Sequence, residues 1–333
     1  GQGRGGAARC GSQEISTLAA APVMHEFDLI ARIRARAALR GDVVLGIGDD
    51  CALLAPPPGM QLAVTMDTLN SGVHFPPETA PFDIGWKALA VNLSDLAAMG
   101  AQPAWCTLSL SLPEASADFI DGFSDGFLTL AQQHEFALIG GDTTRGPLSI
   151  SVTAHGLIEP GNALRRTGAK VGEDIWVSGT LGDAAGALRQ WHAGNAMQPA
   201  LRARLNRPTP RVALGRALRG VASSCIDISD GLLADLSHIC RASGVGAQLD
   251  AQALPASKAL RQSFDTATRL ALQASGGDDY ELCFTAPVAQ RAAIHALSQT
   301  LELSLTRIGE IVAGADVRCE GVSTATQGYQ HFA

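Results

Sequence analysis

Aspartate is not scattered along this chain. It recurs in short glycine- or serine-framed strings: Gly48-Asp49-Asp50, Met66-Asp67-Thr68, Ser94-Asp95, Gly140-Gly141-Asp142-Thr143, Asp227-Ile228-Ser229-Asp230-Gly231 and Gly276-Gly277-Asp278-Asp279, most of them beside strongly apolar runs. This pattern restricts the fold, because a carboxylate drawn into an apolar interior is costly unless it is paired or binds a metal. Lysine, present only at Lys87, Lys170 and Lys258, is too scarce to neutralise so many acids. The economical reading is that several of them converge on divalent cations, and that the cations hold phosphates.

The chain, at 333 residues, is long enough for two domains, and its 46% hydrophobic and 17% charged composition is that of an ordinary globular protein. A net charge of −7 argues against nucleic acid or an anionic membrane as partner, since either needs a basic patch. No uninterrupted apolar run approaches the ~18 residues of a transmembrane helix. Seven cysteines occur singly, without a C-x-x-C pair; this points to buried thiols in a reducing cytoplasm. Residues 1–23, rich in Gly and Ala, read as a disordered or appended tail, with Met24-His25-Glu26-Phe27 as the natural start.

Hydrophobic spacing predicts an amphipathic helix over residues 28–39 and an alternating strand over 61–67, with Thr65 and Asp67 on one face and Leu62, Val64 and Met66 on the other. A long helix is expected over 81–99, stopped by Gly100, with Asn92 and Asp95 on one side. Strands are expected at 105–112, 136–139, 149–158, 174–177, 281–285 and 306–312, and helices at 117–134, 184–191 and 230–242, the last with Ser229 as its N-cap. Glu159-Pro160-Gly161-Asn162 reads as a linker, which puts the domain boundary between residues 160 and 161. Ser94-Asp95 and Gly140-Gly141-Asp142 echo Ser229-Asp230 and Gly276-Gly277-Asp278, the spacing expected either of two similar α+β domains or of chance.

Absent motifs narrow the chemistry. The chain has no G-x-x-x-x-G-K-[ST] phosphate loop and no protein-kinase signature set, and Gly179-Thr180-Leu181-Gly182 fits an ordinary turn. Taken singly, Asp49-Asp50 and Gly141-Asp142 also suit turns, Asp227 and Asp230 also suit a helix start, and His74 also suits a solvated loop. Asp95 is harder to explain that way, since it lies in a helix that carries Trp86, Leu89, Leu93 and Leu96. Together the strings describe a metal-phosphate site, and a non-catalytic nucleotide-binding protein is the alternative from a different class.

The strings Gly46-Ile47-Gly48-Asp49-Asp50-Cys51-Ala52, Met66-Asp67-Thr68, His74-Phe75, the run from Lys87 to Gly100, Gly140-Gly141-Asp142-Thr143-Thr144, Asp227-Ile228-Ser229-Asp230-Gly231-Leu232 and Gly277-Asp278-Asp279-Tyr280-Glu281-Leu282 closely resemble those of bacterial thiamine-monophosphate kinases. The resemblance runs from about Met24 to the C-terminus. It implies an α+β, mixed α/β fold of two domains like that of aminoimidazole-ribonucleotide synthetase. The tail at 1–23 would be followed by an ATP- and Mg2+-binding domain at 24–160, pairing through its sheet across a homodimer, and by an α/β domain at 161–333 that completes the active site. The implied reaction is phosphorylation of thiamine monophosphate by ATP to thiamine diphosphate. Carried over by motif position, Asp50, Thr65, Met66, Asp67, Asp95, Asp142, Asp227 and Asp230 would bind Mg2+, with Asp50, Asp95, Asp142 and Asp227 as the catalytic acids. Gly141, Asp142, Arg166 and Ser229 would touch ATP, and His74, Asp278 and Tyr329 would contact the substrate. Met66 stands where the family often has Thr, so a metal contact there would use the backbone carbonyl; Asp278 stands where Glu is common.

Overall fold

A computed structural model describes residue 1, residues 26–38 and residues 40–322 of the chain. Tyr329 and all but the first residue of the expected tail lie outside them. The first half contains helix α1 (Glu26–Arg34), the short strands β1 (Val43–Leu45) and β2 (Leu53–Leu54), strand β3 (Gln61–Asn70), helix α2 (Pro81–Ala98), strand β4 (Gln102–Leu112), helix α3 (Ala117–Gln133), and strands β5 (Ala137–Arg145) and β6 (Ser149–Ile158). The second half contains β7 (Asp174–Ser178), α4 (Asp183–His192), α5 (Pro199–Asn206), α6 (Val212–Ala217), β8 (Ser224–Asp227), α7 (Leu232–Ser243), β9 (Gly246–Asp250), α8 (Lys258–Ser263), α9 (Thr266–Ser275), β10 (Leu282–Ala286), α10 (Arg291–Thr300), β11 (Leu305–Val312) and β12 (Val317–Glu320). None of the described helices is long and apolar enough to cross a membrane.

Each half builds its own sheet. In the first, the order is β3-β6-β4-β5, antiparallel except for the parallel β4–β5 pair that α3 connects. In the second, the order is β12-β9-β11-β7-β10-β8, with only β12–β9 parallel. One face of the first sheet carries α2 and α3. The other face is covered beside β4 and β5 by apolar residues of the β1–β2 segment, Val43 and Leu54 packing near Trp105 and Ile139. Along the edge strand β3 the same face stays open, and Leu62, Val64 and Met66 are 51%, 59% and 61% exposed.

Helix α2 joins the halves. Pro81 at its first turn presets φ, and Asp83 complements the helix dipole. Gly100, in the left-handed region at φ 68°, ends it while Ala101 N–H closes back on the Leu96 carbonyl at 2.9 Å. Between these stops the helix is buried on nearly every side, and a single apolar core runs from α3 and β6 through Leu89 and Leu93 to Trp176, Leu282 and Phe284 of the second sheet. The far face of that sheet packs separately against α7, with Ile175, Val177 and Ile226 meeting Leu232, Leu236 and Ile239.

Helix α1 ends at Arg34, short of the expected 39, and the readings around the acid strings differ from the structure at three places. The helix expected from Asp230 begins at Leu232, because Gly231 at φ 121° breaks the backbone. Ser229 is therefore not its N-cap; the Asp235 carboxylate reaches back instead to the N–H groups of residues 229–231. Gly140-Gly141-Asp142 does not end a strand but lies inside β5, which continues to Arg145. The echoed strings occupy unlike settings, Asp95 within α2 against Asp230 in a turn, and Asp142 within β5 against Asp278 in a loop.

Helices α2 and α3 approach through glycine: a Cβ on Gly85 would lie 2.0 Å from the Phe123 carbonyl oxygen. Alanine is the better helix former by about 1 kcal/mol, but overpacking of this kind commonly costs about 1–3 kcal/mol or more. Gly85→Ala is thus expected to lower the urea midpoint; an unchanged or raised midpoint would refute the close approach.

Candidate active site

Four acids from three elements and a turn meet where α2 crosses between the sheets. Asp67 comes from the α2-facing side of β3, Asp95 from the last turns of α2, Asp227 from the end of β8, and Asp230 from the turn that follows it. All four line one cleft of about 850 Å³ between the halves, together with His74, Ser229, Asp278 and Tyr280. Thr65 lies one pleat from Asp67 on the same face of β3 and donates its hydroxyl to Asp95. Ser94 donates to Asp227 Oδ2 at 2.7 Å, and Asn92 accepts the Asp67 N–H at 3.2 Å.

Electrostatically this group of acids is under strain. Burial, then the charges of Asp95 and Asp230, push the Asp67 carboxyl up to about 6. Burial likewise raises Asp95, against the Thr65 hydrogen bond and the Arg166 charge. Asp227 is raised by burial and by Asp95, with the Ser94 hydroxyl offsetting part of the effect. Carboxylates that repel one another, with one exposed arginine nearby, are hard oxygen donors that a positive charge would stabilise. Among the described residues no three carboxylate, imidazole or thiol groups close on a single point.

A second group of side chains lining the cleft is built differently. Lys87, 2% exposed, donates from Nζ to the His74 carbonyl at 2.8 Å and to Asp278 Oδ2 at 3.1 Å. The Tyr280 hydroxyl donates to Asp278 Oδ1 at 3.0 Å, and burial followed by the Asp278 charge keeps that phenol protonated well above its usual range. His74 Nδ1 accepts the Asn70 N–H at 2.9 Å, which leaves Nε2 to carry the proton of the neutral ring. Lysine is too scarce to neutralise the acids as a set, yet Lys87 serves one of them, Asp278, and its place in the apolar stripe of α2 is the signal in the sequence. Tyr280 and Asp235 were likewise not anticipated.

The remaining expected site residues lie elsewhere. Arg166 acts on Asp95 from the segment between the sheets. Met66 and Asp142 belong by register to the opposite face of the first sheet, where Thr107 stands beside Thr153, the partner of Met66, and Ser109 pairs with Asp142. Asp142 is exposed there, and Gly141 is required by packing, since a Cβ would lie 1.8 Å from the Leu108 carbonyl oxygen. Asp50 is exposed between β1 and β2, where Asp49 accepts its N–H at 2.9 Å, the local turn that such a string also suits.

Two family models match in tandem: AIR synthase related protein, N-terminal domain, over residues 48–158, and AIR synthase related protein, C-terminal domain, over residues 170–321. Over 322 residues the chain is 48% identical to the thiamine-monophosphate kinase of Salmonella typhimurium, a match spanning 92% of this chain and 98% of that protein. The chain belongs to the thiamine-monophosphate kinase family. The crystal structure of the thiamine-monophosphate kinase from Stenotrophomonas maltophilia K279a resembles it with a TM-score of 0.85 at 61% identity, covering 90% of this chain and 98% of that one. AaThiL complexed with AMPPCP and TMP resembles it with a TM-score of 0.75 at 31% identity, covering 94% and 100%.

The raised carboxyls have a thermodynamic consequence. A folded-state pKa above the unfolded value means that the native state holds the proton more tightly, so the contribution of Asp67 is fully present below its ordinary 3.8 and is lost as pH rises through about 6. Asp95 and Asp227 are shifted in the same direction and extend the loss upward. With EDTA present, the melting temperature is expected to fall from about pH 5 to about pH 8, and Asp67→Asn to flatten that fall. A melting temperature that climbs over this window would contradict the repulsion.

Proposed function

We propose that this chain catalyses the ATP-dependent phosphorylation of thiamine monophosphate to thiamine diphosphate by direct in-line transfer. The observation that carries this reading is a cleft between the two halves lined both by mutually repelling carboxylates and by His74 and Asp278, which Lys87 bridges. The acceptor is a phosphate monoester with a second pKa of about 6, so near neutral pH it is mostly dianionic and already nucleophilic. No side chain has to remove a proton from it.

Asp67, Asp95, Asp227 and Asp230, with Thr65 beside Asp95, form the set that fits Mg2+. Mg2+ held there would supply positive charge between the two polyanions. The protein's part is to keep the four carboxylates at fixed positions: α2 orients Asp95, Ser94 holds Asp227, and Asp235 holds the turn bearing Asp230. We place Arg166 and Ser229 on the nucleotide side, because both flank the acids without pairing with them, and His74 and Asp278 on the thiamine side. Asp50, Met66, Gly141 and Asp142 sit apart from the cleft and are assigned no step.

We take residues 24–160 as the ATP- and Mg2+-binding domain and residues 161–333 as the domain that completes the site. The open row of Leu62, Val64 and Met66 on an edge strand supports pairing of two copies through the first sheet. Free thiols at Cys106, Cys225, Cys240, Cys283 and Cys319, all buried, support a reducing compartment such as the cytoplasm.

Three measurements test this reading. ADP formation is expected to depend on added thiamine monophosphate; turnover without it, or none with it, would sink the assignment. Asp95→Asn is expected to lower kcat by roughly 100-fold or more with the fold intact, and near-wild-type activity would remove Asp95 from the reacting centre. Val64→Arg is expected to convert a dimer to monomer in sedimentation; an unaltered mass would place the interface elsewhere.

A further inference from the structure

Lys87 is an unusual lysine: its ammonium is buried, yet no carboxylate of its own helix neutralises it. Its two acceptors come from different halves of the molecule, the His74 carbonyl on the loop after β3 and Asp278 Oδ2 on the loop before β10. Tyr280 holds the other oxygen of the same carboxylate. The loop that carries Asp278 is itself tied down. Asp278 and Tyr280 adopt positive φ values of 67° and 49°, and their N–H groups donate to the Ser229 and Ile228 carbonyls, each at 2.8 Å.

We propose that Lys87 is a positioning residue for thiamine monophosphate, fixing the Asp278 carboxylate and the His74 loop at one separation before substrate enters. The proposal rests on the reading that His74 and Asp278 hold that substrate. An ammonium is a compact donor with freely rotating N–H bonds, so it can serve a carbonyl and a carboxylate that lie in unrelated directions. It acts across the gap between the halves, bonding the His74 carbonyl on one side and the Asp278 carboxylate on the other. A tie that only held the halves together would affect stability and both substrates alike; a positioning tie acts on one substrate.

The test compares Lys87→Met, Lys87→Arg, Asp278→Asn and the double variant Lys87→Met/Asp278→Asn, reading KM for each substrate, kcat and melting temperature. Lys87→Met is expected to raise KM for thiamine monophosphate roughly tenfold or more while KM for ATP stays within about twofold, since misplacement by about 1 Å is enough to lose such factors. Lys87→Arg should recover part of the loss, and adding Lys87→Met to Asp278→Asn should change little, because the lysine acts through that carboxylate. The proposal is overturned if KM for thiamine monophosphate is unchanged in Lys87→Met, if both KM values move together, or if the two losses multiply in the double variant. Should Asp278→Asn leave that KM unchanged while Asp95→Asn abolishes turnover, the placement of the substrate fails with the kinase assignment intact, and the proposal goes with it. If Lys87→Met does not fold, Tyr280→Phe removes the other hold on Asp278 without stranding a buried charge; the same selective rise in KM is expected, and its absence overturns the proposal.

Discussion

Everything in the cleft depends on the burial of α2. A helix apolar on one stripe can rotate or shift by small amounts against its core, whereas one enclosed on all sides cannot. Its polar side chains then have to be satisfied where they stand. Asn92 bonds the Ala88 carbonyl and the Asp67 N–H, Ser94 bonds Asp227, Lys87 spans to His74 and Asp278, and Asp95 takes the Thr65 hydroxyl. These partners sit on β3, on β8 and on two loops, so one rigid rod sets the spacing among parts that are remote in sequence.

Repulsion among the acids works against that order, and local braces contain it. Asp235 gathers three successive N–H groups on one oxygen, each at 3.1 Å, and so fixes the turn that presents Ser229 and Asp230. Burial and Asp230 raise its own carboxyl to about 7, with those three hydrogen bonds pulling the other way. The turn in turn anchors the loop before β10, and Gly277 passes so close that a Cβ would lie 2.5 Å from the Ser229 carbonyl oxygen. Left-handed backbone at a non-glycine residue persists only when the surroundings over-determine it. Here the strained Asp278 is held by backbone, lysine and tyrosine together.

How much of this was legible in the chain follows from the range of each interaction. Alternation along β3 and the stop at Gly100 are local signals, and the strand face with Thr65 and Asp67 and the length of α2 follow from them. The acid strings point to shared chemistry, and four of the acids do line one cleft. What each acid does was not legible, because adjacent residues in a string answer to different neighbours. Asp278 enters the cleft, while Asp279 turns away to accept the Gly182 N–H at the start of α4. Asp49 closes its own turn. Asp142 shares a motif with the site but stands across the sheet from it, since pleat parity over four strands is a property of register and cannot be seen within one string. The pairing of Lys87 with a residue 191 positions away was hidden for the same reason.

The two groups of side chains that line the cleft differ in net charge. Around α2 and β8 the carboxylates repel one another, and the Arg166 guanidinium stands nearby but exposed. Asp278, by contrast, already has a buried ammonium and a phenol on its two oxygens. A dication would gain most where negative charge is uncompensated, beside the first group and not beside Asp278. On this argument Asp278, although it belongs to one of the acid strings, would be disfavoured as a cation ligand by its pairing with Lys87.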